Sequence, residues 1–202
     1  MEMTARGISA ALATANACVV KTPELDPISN IWLARVAEAV GLPKGALNIL
    51  CGLGHEAGAA LSSHPDIGNI VFTGSVETGI RVATAAAANV KPAILELGGK
   101  SAAIIMPDAD LDSVIDSVRW GIYFNAGQVC SAMSRVIAHE DVHDEIFDRC
   151  VALAESLSVG PGIERREFIT NMGAMVSDPQ RDRAERLVEA AAAEGATVAT
   201  GG

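Results

Sequence analysis

The sequence predicts a parallel α/β fold, and three observations carry that expectation. Short apolar runs alternate along the chain with stretches of helical periodicity. Glycine-rich turns directly follow two of the apolar runs and open the next helix. Half of the 202 residues are hydrophobic while 20% are charged, which is enough apolar material for a buried core and too little charge for disorder.

Taken in order, Ile8 to Val20 reads as a core helix running into a core strand, with Ala17 to Val20 the strand itself. Ser29 or Asn30 can cap a helix with an apolar face of Leu33, Val36, Ala37 and Val40, and Gly41 and Pro43 stop it. Ala46 to Cys51 is strand-like and leads through a glycine-rich turn into a helix from about Glu56 to Ser63. A strand over Asn69 to Phe72 precedes a helix ending near Ala88, and Ala93 to Leu97 and Ala102 to Met106 are strands. Leu111, Val114, Ile115, Val118 and Ile122 recur at helical spacing and mark one buried face. Ser134 to Ala138 is expected as a strand, Val142 to Leu157 and Arg181 to Ala193 as helices, and Thr197 to Thr200 as a last strand. No internal repeat or low-complexity linker interrupts this order.

The formal net charge of −10 opposes nucleic acid and anionic membrane surfaces, so neither is expected as a partner. No apolar run approaches the roughly 18 residues of a membrane span, and the N-terminal apolar stretch lacks the basic region of a signal peptide. Cys18, Cys51, Cys130 and Cys150 are far apart, with no C-x-x-C pair and no histidine cluster, so no metal site is expected. Free thiols beside a large core fit a reducing, cytoplasmic setting.

Four places can carry chemistry. Lys21-Thr22-Pro23-Glu24 follows the first strand, and ligands bind at the carboxyl ends of parallel strands. Lys21 can meet a ribose or phosphate and Glu24 can accept from ribose hydroxyls; as isolated residues they read better as surface charges at a strand end. The turns Gly52–Gly58 and Thr73–Gly79, which contain Gly54, Gly74, Ser75 and Gly79, place helix N–H groups where a phosphate could sit. Neither has the G-x-G-x-x-G spacing, and tight strand-to-helix packing explains either turn taken alone. Glu96 ends an apolar strand beside Leu97, Gly98 and Gly99, where partial burial would suit a general base; the plain alternative is a carboxylate neutralised by Lys100 or a backbone amide. Cys130 follows the polar loop Asn125-Ala126-Gly127-Gln128, where nearby helix N–H groups would favour the thiolate. Cys18 and Cys51 sit in apolar strands and Cys150 in an amphipathic helix, which assigns those three to packing.

Together these segments resemble the aldehyde dehydrogenase family: Lys21 to Glu24, Gly41-Leu42-Pro43 with Leu47-Asn48, Phe72 to Ser75, Glu96 to Lys100, and Asn125 to Cys130, in the family's order and approximate spacing. The resemblance implies a Rossmann-like parallel sheet binding NAD, with NADP possible, over residues 1–97, and the first half of an α/β catalytic domain over 98–202. It implies that Cys130 attacks an aldehyde carbonyl, that hydride passes to the nicotinamide, and that Glu96 activates the water that hydrolyses the resulting thioester. The Cys130 backbone N–H would donate to the oxyanion. Lys21 and Glu24 would hold the adenosine ribose and Ser75 would face the pyrophosphate. Gly74 and Gly79 would permit close approach of cofactor and helix, and Gly54 and Leu97 complete the cofactor-contacting set. A homo-oligomer and a small aldehyde are the implied partners. Glu24 would repel a 2′-phosphate, which tilts the expectation toward NAD.

Departures from the pattern accompany the matches. The asparagine that donates to the oxyanion in the family should stand just before this chain begins, and the glutamate-phenylalanine-glycine-proline type motif should lie beyond Gly202, so the chain is expected to be an internal segment. Ala15-Asn16 replaces the usual glycine-asparagine, and Gly7 stands where many relatives carry lysine. Met133 is a candidate for the wall of a substrate tunnel. Two other functions remain open: a CoA-acylating relative, which a retained Glu96 disfavours, and a fragment that binds nucleotide or assembles with partners without chemistry.

Overall fold

A computed structural model describes residues 2–161 and 171–201. Met1 and Gly202, the outer bounds expected for the two domains, lie outside the described residues. The chain forms two compact units, Met1–Leu97 and Gly98–Gly202.

The first unit runs α1 (Glu2–Ala13), β1 (Cys18–Lys21), α2 (Ile28–Ala39), β2 (Leu47–Leu50), a π-helical turn (Gly54–Gly58) continuing into α3 (Ala59–Ser63), β3 (Ile70–Gly74), α4 (Val76–Ala87) and β4 (Ala93–Leu97). β1 and β2 are parallel from Cys18↔Leu47 to Lys21↔Leu50. β3 and β4 are parallel from Ile70↔Ala93 to Gly74↔Leu97. Both pairs are parallel because a helix intervenes between their members and returns the chain to the same edge. Val82 and Ala86 of α4 supply the buried apolar residues of this unit.

Several expectations change here. α1 forms but none of its residues is buried; its Ala, Ser, Gly and Thr side chains offer little apolar area to drive it inward. Neither Ser29 nor Asn30 caps α2. The helix begins earlier, after Pro27, and Ser29 Oγ donates to Asp26 Oδ2 at 3.1 Å instead. Asn30 is buried and accepts a hydrogen bond from Thr4 Oγ1. Val36 and Val40, expected on the apolar face, are exposed, whereas Leu33, Ala34 and Ala37 are half-buried. β3 extends through Thr73 and Gly74, beyond the end expected at Phe72.

The second unit runs β5 (Ala102–Ile105), α5 (Leu111–Val118), a π-helical turn (Arg119–Tyr123), a 3₁₀ turn (Phe124–Gly127), β6 (Arg135–Ala138), a 3₁₀ turn (Glu140–Val142), α6 (His143–Ser156), β7 (Ser158–Val159), β8 (Asn171–Met172) and α7 (Asp178–Ala193). β5 pairs with β6 and β7 with β8, again in parallel. Asp110 caps α5, accepting from the Asp112 amide at 3.2 Å and from Ser113 Oγ at 2.8 Å. Ile105, Val118, Ala132, Ile146 and Leu153 form the core. The strand expected over Thr197 to Thr200 does not form: among the described residues it has no ladder partner, and Thr200 Oγ1 donates to Glu155 Oε1 at 3.3 Å. Among the described residues β1 pairs with β2, β3 with β4, β5 with β6 and β7 with β8, giving four two-stranded parallel sheets. No described helix is long and apolar enough to cross a membrane.

Candidate active site

In the first unit, the carboxyl ends of β1 and β2 bring Lys21, Glu24 and Gly54 together. Lys21 Nζ donates to the Gly52 carbonyl at 3.1 Å. Glu24 Oε1 accepts from the Gly54 amide at 2.6 Å, a short, charge-assisted bond. These residues therefore build one side-chain-to-turn cluster, and are not scattered surface charges.

The carboxyl ends of β3 and β4 bring together the rest of the expected cofactor set. Thr73 faces Glu96 and Gly74 faces Leu97 across the ladder. Ser75 caps α4, accepting from the Thr78 amide at 3.2 Å while its hydroxyl donates to Thr78 Oγ1 at 3.1 Å. The amides of Val76 and Glu77 are left without an intrahelical acceptor, as at the start of any helix. Gly79 is buried, and a Cβ there would lie 2.7 Å from Leu97 Cδ2. At Gly74 a Cβ would lie 2.5 Å from the Phe72 ring. The space at both glycines is filled by side chains of the chain itself.

Glu96 is half-buried, and its partner is Arg6 of α1 in place of Lys100 or a backbone amide. Arg6 Nη2 lies 2.9 Å from Glu96 Oε1. Lys100 Nζ instead donates to the neighbouring Gly99 carbonyl at 3.1 Å. Sequence reasoning missed Arg6, because nothing local couples residues 90 positions apart.

In the second unit, Cys130 is exposed. It stands in a turn between the 3₁₀ segment and β6, and not at a helix N-terminus. Asn125, Ala126 and Gly127 precede it, all left-handed, with φ of 54°, 55° and 73°. For alanine that conformation costs roughly 1–2 kcal/mol. The loop is over-determined by its own bonds. Asn125 Nδ2 donates to the Gln128 carbonyl at 3.1 Å, Gln128 Nε2 donates to the Asn125 carbonyl at 3.0 Å, and Gln128 Oε1 accepts from the Val176 amide at 2.9 Å. Within this unit the Cys130 amide donates to none of the described residues. The turn thus presents on one residue an exposed thiol and a backbone amide that donates to none of the described residues of its unit.

The other cysteines differ. Burial pushes the Cys18 and Cys150 thiols above their ordinary pKa. Cys51 lies just past β2 and is exposed, which corrects its assignment to a strand interior. The Met133 side chain packs on Gly121, where an added Cβ would lie 2.0 Å from Met133 Cε, and the Met133 amide donates to the Gly121 carbonyl at 2.8 Å. Among the described residues no group of three or more His, Cys, Asp and Glu is placed to hold a metal.

Parallel strand pairs whose carboxyl ends carry glycine turns and helix starts define an α/β protein with a Rossmann-like, dinucleotide-binding type of fold. A family model described as the aldehyde dehydrogenase family matches residues 1–202, and the chain belongs to that family. The peroxisomal aminoaldehyde dehydrogenase 1 of Pisum sativum is 44% identical over 195 residues, which is 96% of this chain and 38% of that protein. Betaine aldehyde dehydrogenase 1 of Oryza sativa subsp. japonica is 42% identical with the same coverage. Among solved structures, an aldehyde dehydrogenase from Bacillus cereus has a TM-score of 0.93 at 40% identity, covering 99% of this chain and 40% of that one. Betaine aldehyde dehydrogenase from Staphylococcus aureus in complex with NAD+ has a TM-score of 0.91 at 38% identity, covering 96% and 38%. The chain spans 38% of the length of the two plant relatives.

Proposed function

We propose that the protein carrying this chain oxidises an aldehyde to a carboxylate with NAD as hydride acceptor, Cys130 as nucleophile and Glu96 as general base. The observation that carries this reading is the Cys130 turn, with an exposed thiol and an unused amide on one residue, held by an over-determined left-handed loop. The Cys130 thiolate adds to the aldehyde carbon, and the C=O electron pair moves to oxygen, where the Cys130 amide can donate. Bound NAD supplies the acceptor for the hydride that leaves this carbon, and a thioester remains. Glu96 takes a proton from water, the hydroxide adds to the thioester, and collapse expels the Cys130 thiolate.

Residues 1–97 are the cofactor-binding part on this reading, and residues 98–202 hold the nucleophile. The residues present suit a dinucleotide: Lys21 and Glu24 toward ribose hydroxyls beside Gly54, the α4 start at Ser75 toward a pyrophosphate, and Gly74, Gly79 and Leu97 shaping the wall. The Glu24 carboxylate favours NAD over a cofactor bearing a 2′-phosphate. The relatives' names direct the choice of test substrates to an aminoaldehyde and betaine aldehyde, both cationic, which a protein of net charge −10 attracts. A homo-oligomer belongs to this reading, and exposed apolar side chains such as Ile28 and Ile104 supply surface for it.

The test is NADH formation by the full-length protein and its Cys130→Ala variant with these aldehydes. Activity should fall to background in the variant while NAD still binds in a calorimetric titration; an active variant removes Cys130 from the mechanism. Alkylation by iodoacetamide at neutral pH should reach Cys130 well before Cys18 and Cys150, whose raised pKa leaves less thiolate. Equal rates would count against a poised nucleophile.

A further inference from the structure

We propose that Arg6 is a positioning residue for Glu96, fixing the direction in which the base presents its free oxygen; this rests on the reading of Glu96 as the base. The guanidinium engages one carboxylate oxygen, Oε1, at 2.9 Å. Within the first unit, Oε2 accepts from none of the described residues, so one oxygen is held and the other is left for a water.

The placement of Arg6 is itself supported on both sides. Two residues before it, Thr4 Oγ1 donates to Asn30, whose side chain is buried. One residue after it, Gly7 lies against β3, where a Cβ would touch Val71 Cγ1 at 3.5 Å. These contacts lay the first turns of α1 beside β3 and bring Arg6 to the carboxyl end of the neighbouring strand β4, where Glu96 stands opposite Thr73. An ion pair with side chains 61% and 34% exposed adds little to stability. Its consequence is directional: a glutamate has three rotatable side-chain bonds, and without its partner it spreads over several rotamers. A base out of place loses rate even when its chemistry is intact.

The experiment uses p-nitrophenyl acetate on the full-length protein. Attack by Cys130 forms the S–C bond and releases p-nitrophenolate as a burst; hydrolysis of the acetyl thioester sets the slow phase that follows. Arg6→Ala should keep the burst and slow the later phase by about tenfold, inside the hundredfold that a misplaced group can cost. Arg6→Lys, which retains a cation, should recover most of the loss, and Arg6→Gln serves as a second neutral variant should Arg6→Ala fold poorly. Unchanged slow phases in Arg6→Ala and Arg6→Gln, or a lysine variant no better than alanine, overturn the inference. Glu96→Gln measured alongside separates the two readings. If it slows hydrolysis while the neutral Arg6 variants do not, only the role of Arg6 falls. If it hydrolyses at the parent rate, the assignment of Glu96 as base falls and takes the role of Arg6 with it.

Discussion

The two glycine-rich turns of the first unit follow parallel strands and open helices, yet they use their backbone donors differently. After β2, the turn is tied to side chains at the carboxyl end of β1: Glu24 takes the Gly54 amide, Lys21 binds the Gly52 carbonyl, and the helix starts through a π-helical turn. After β3, the turn is tied to its own cap. Ser75 takes the Thr78 amide, α4 is regular from Val76, and the amides of Val76 and Glu77 have no intrahelical acceptor. Similar composition thus yields one turn whose geometry depends on distant carboxylate and ammonium groups, and one that is complete in itself. The open donors of the second suit a phosphate, while the occupied first turn presents side chains suited to hydroxyls.

Substitutions can sharpen or break this contrast. The largest effect is expected at Gly79, where the Cβ that Gly79→Val adds would fall 2.7 Å from Leu97 Cδ2 and must displace that side chain. It should lower stability by about 1–3 kcal/mol, the range for overpacking, seen as a fall in the denaturant midpoint. Glu24→Ala should weaken NAD binding about tenfold, or ~1.4 kcal/mol, in calorimetry while leaving the melting temperature nearly unchanged. An unaltered affinity would mean that the first turn does not serve the cofactor. Ser75→Ala removes the cap of α4 and should cost about 1 kcal/mol of stability in thermal melts. Gly54→Ala is expected to be the mildest, within about 0.5 kcal/mol by chemical denaturation, since a Cβ there meets only Glu24 Oε1 at an ordinary 3.5 Å. A large loss at Gly54 would show that the first turn is as tightly packed as the second.

Much of the architecture was legible because it rests on local period. β4 falls on Ala93–Leu97 as its apolar run predicts, and β1, β2, β5 and β6 shift by a residue or two at their ends. What escaped depends on contacts between distant segments. The Arg6–Glu96 pair, the Gly79–Leu97 contact and the exposure of Val36 and Val40 follow from which elements meet, and periodicity carries no such information. The cysteine loop was legible in part. Asn125 and Gly127 are residue types that accept left-handed backbone, but Ala126 is not, so the unbroken left-handed run was invisible. Ala15 is a second such case: it adopts φ 61°, and its residue type gave no sign of that.

Among the described residues, each strand pair joins two strands that are consecutive in the chain. During synthesis the peptide emerges from its amino end, so β2 can close on β1 before β3 has been made, and β4 on β3 before the cysteine loop exists. Pairing between sequence neighbours keeps the loops that must be closed short, which favours rapid formation of each pair. The nascent protein can therefore complete the strand that carries Glu96 before Cys130 has left the ribosome.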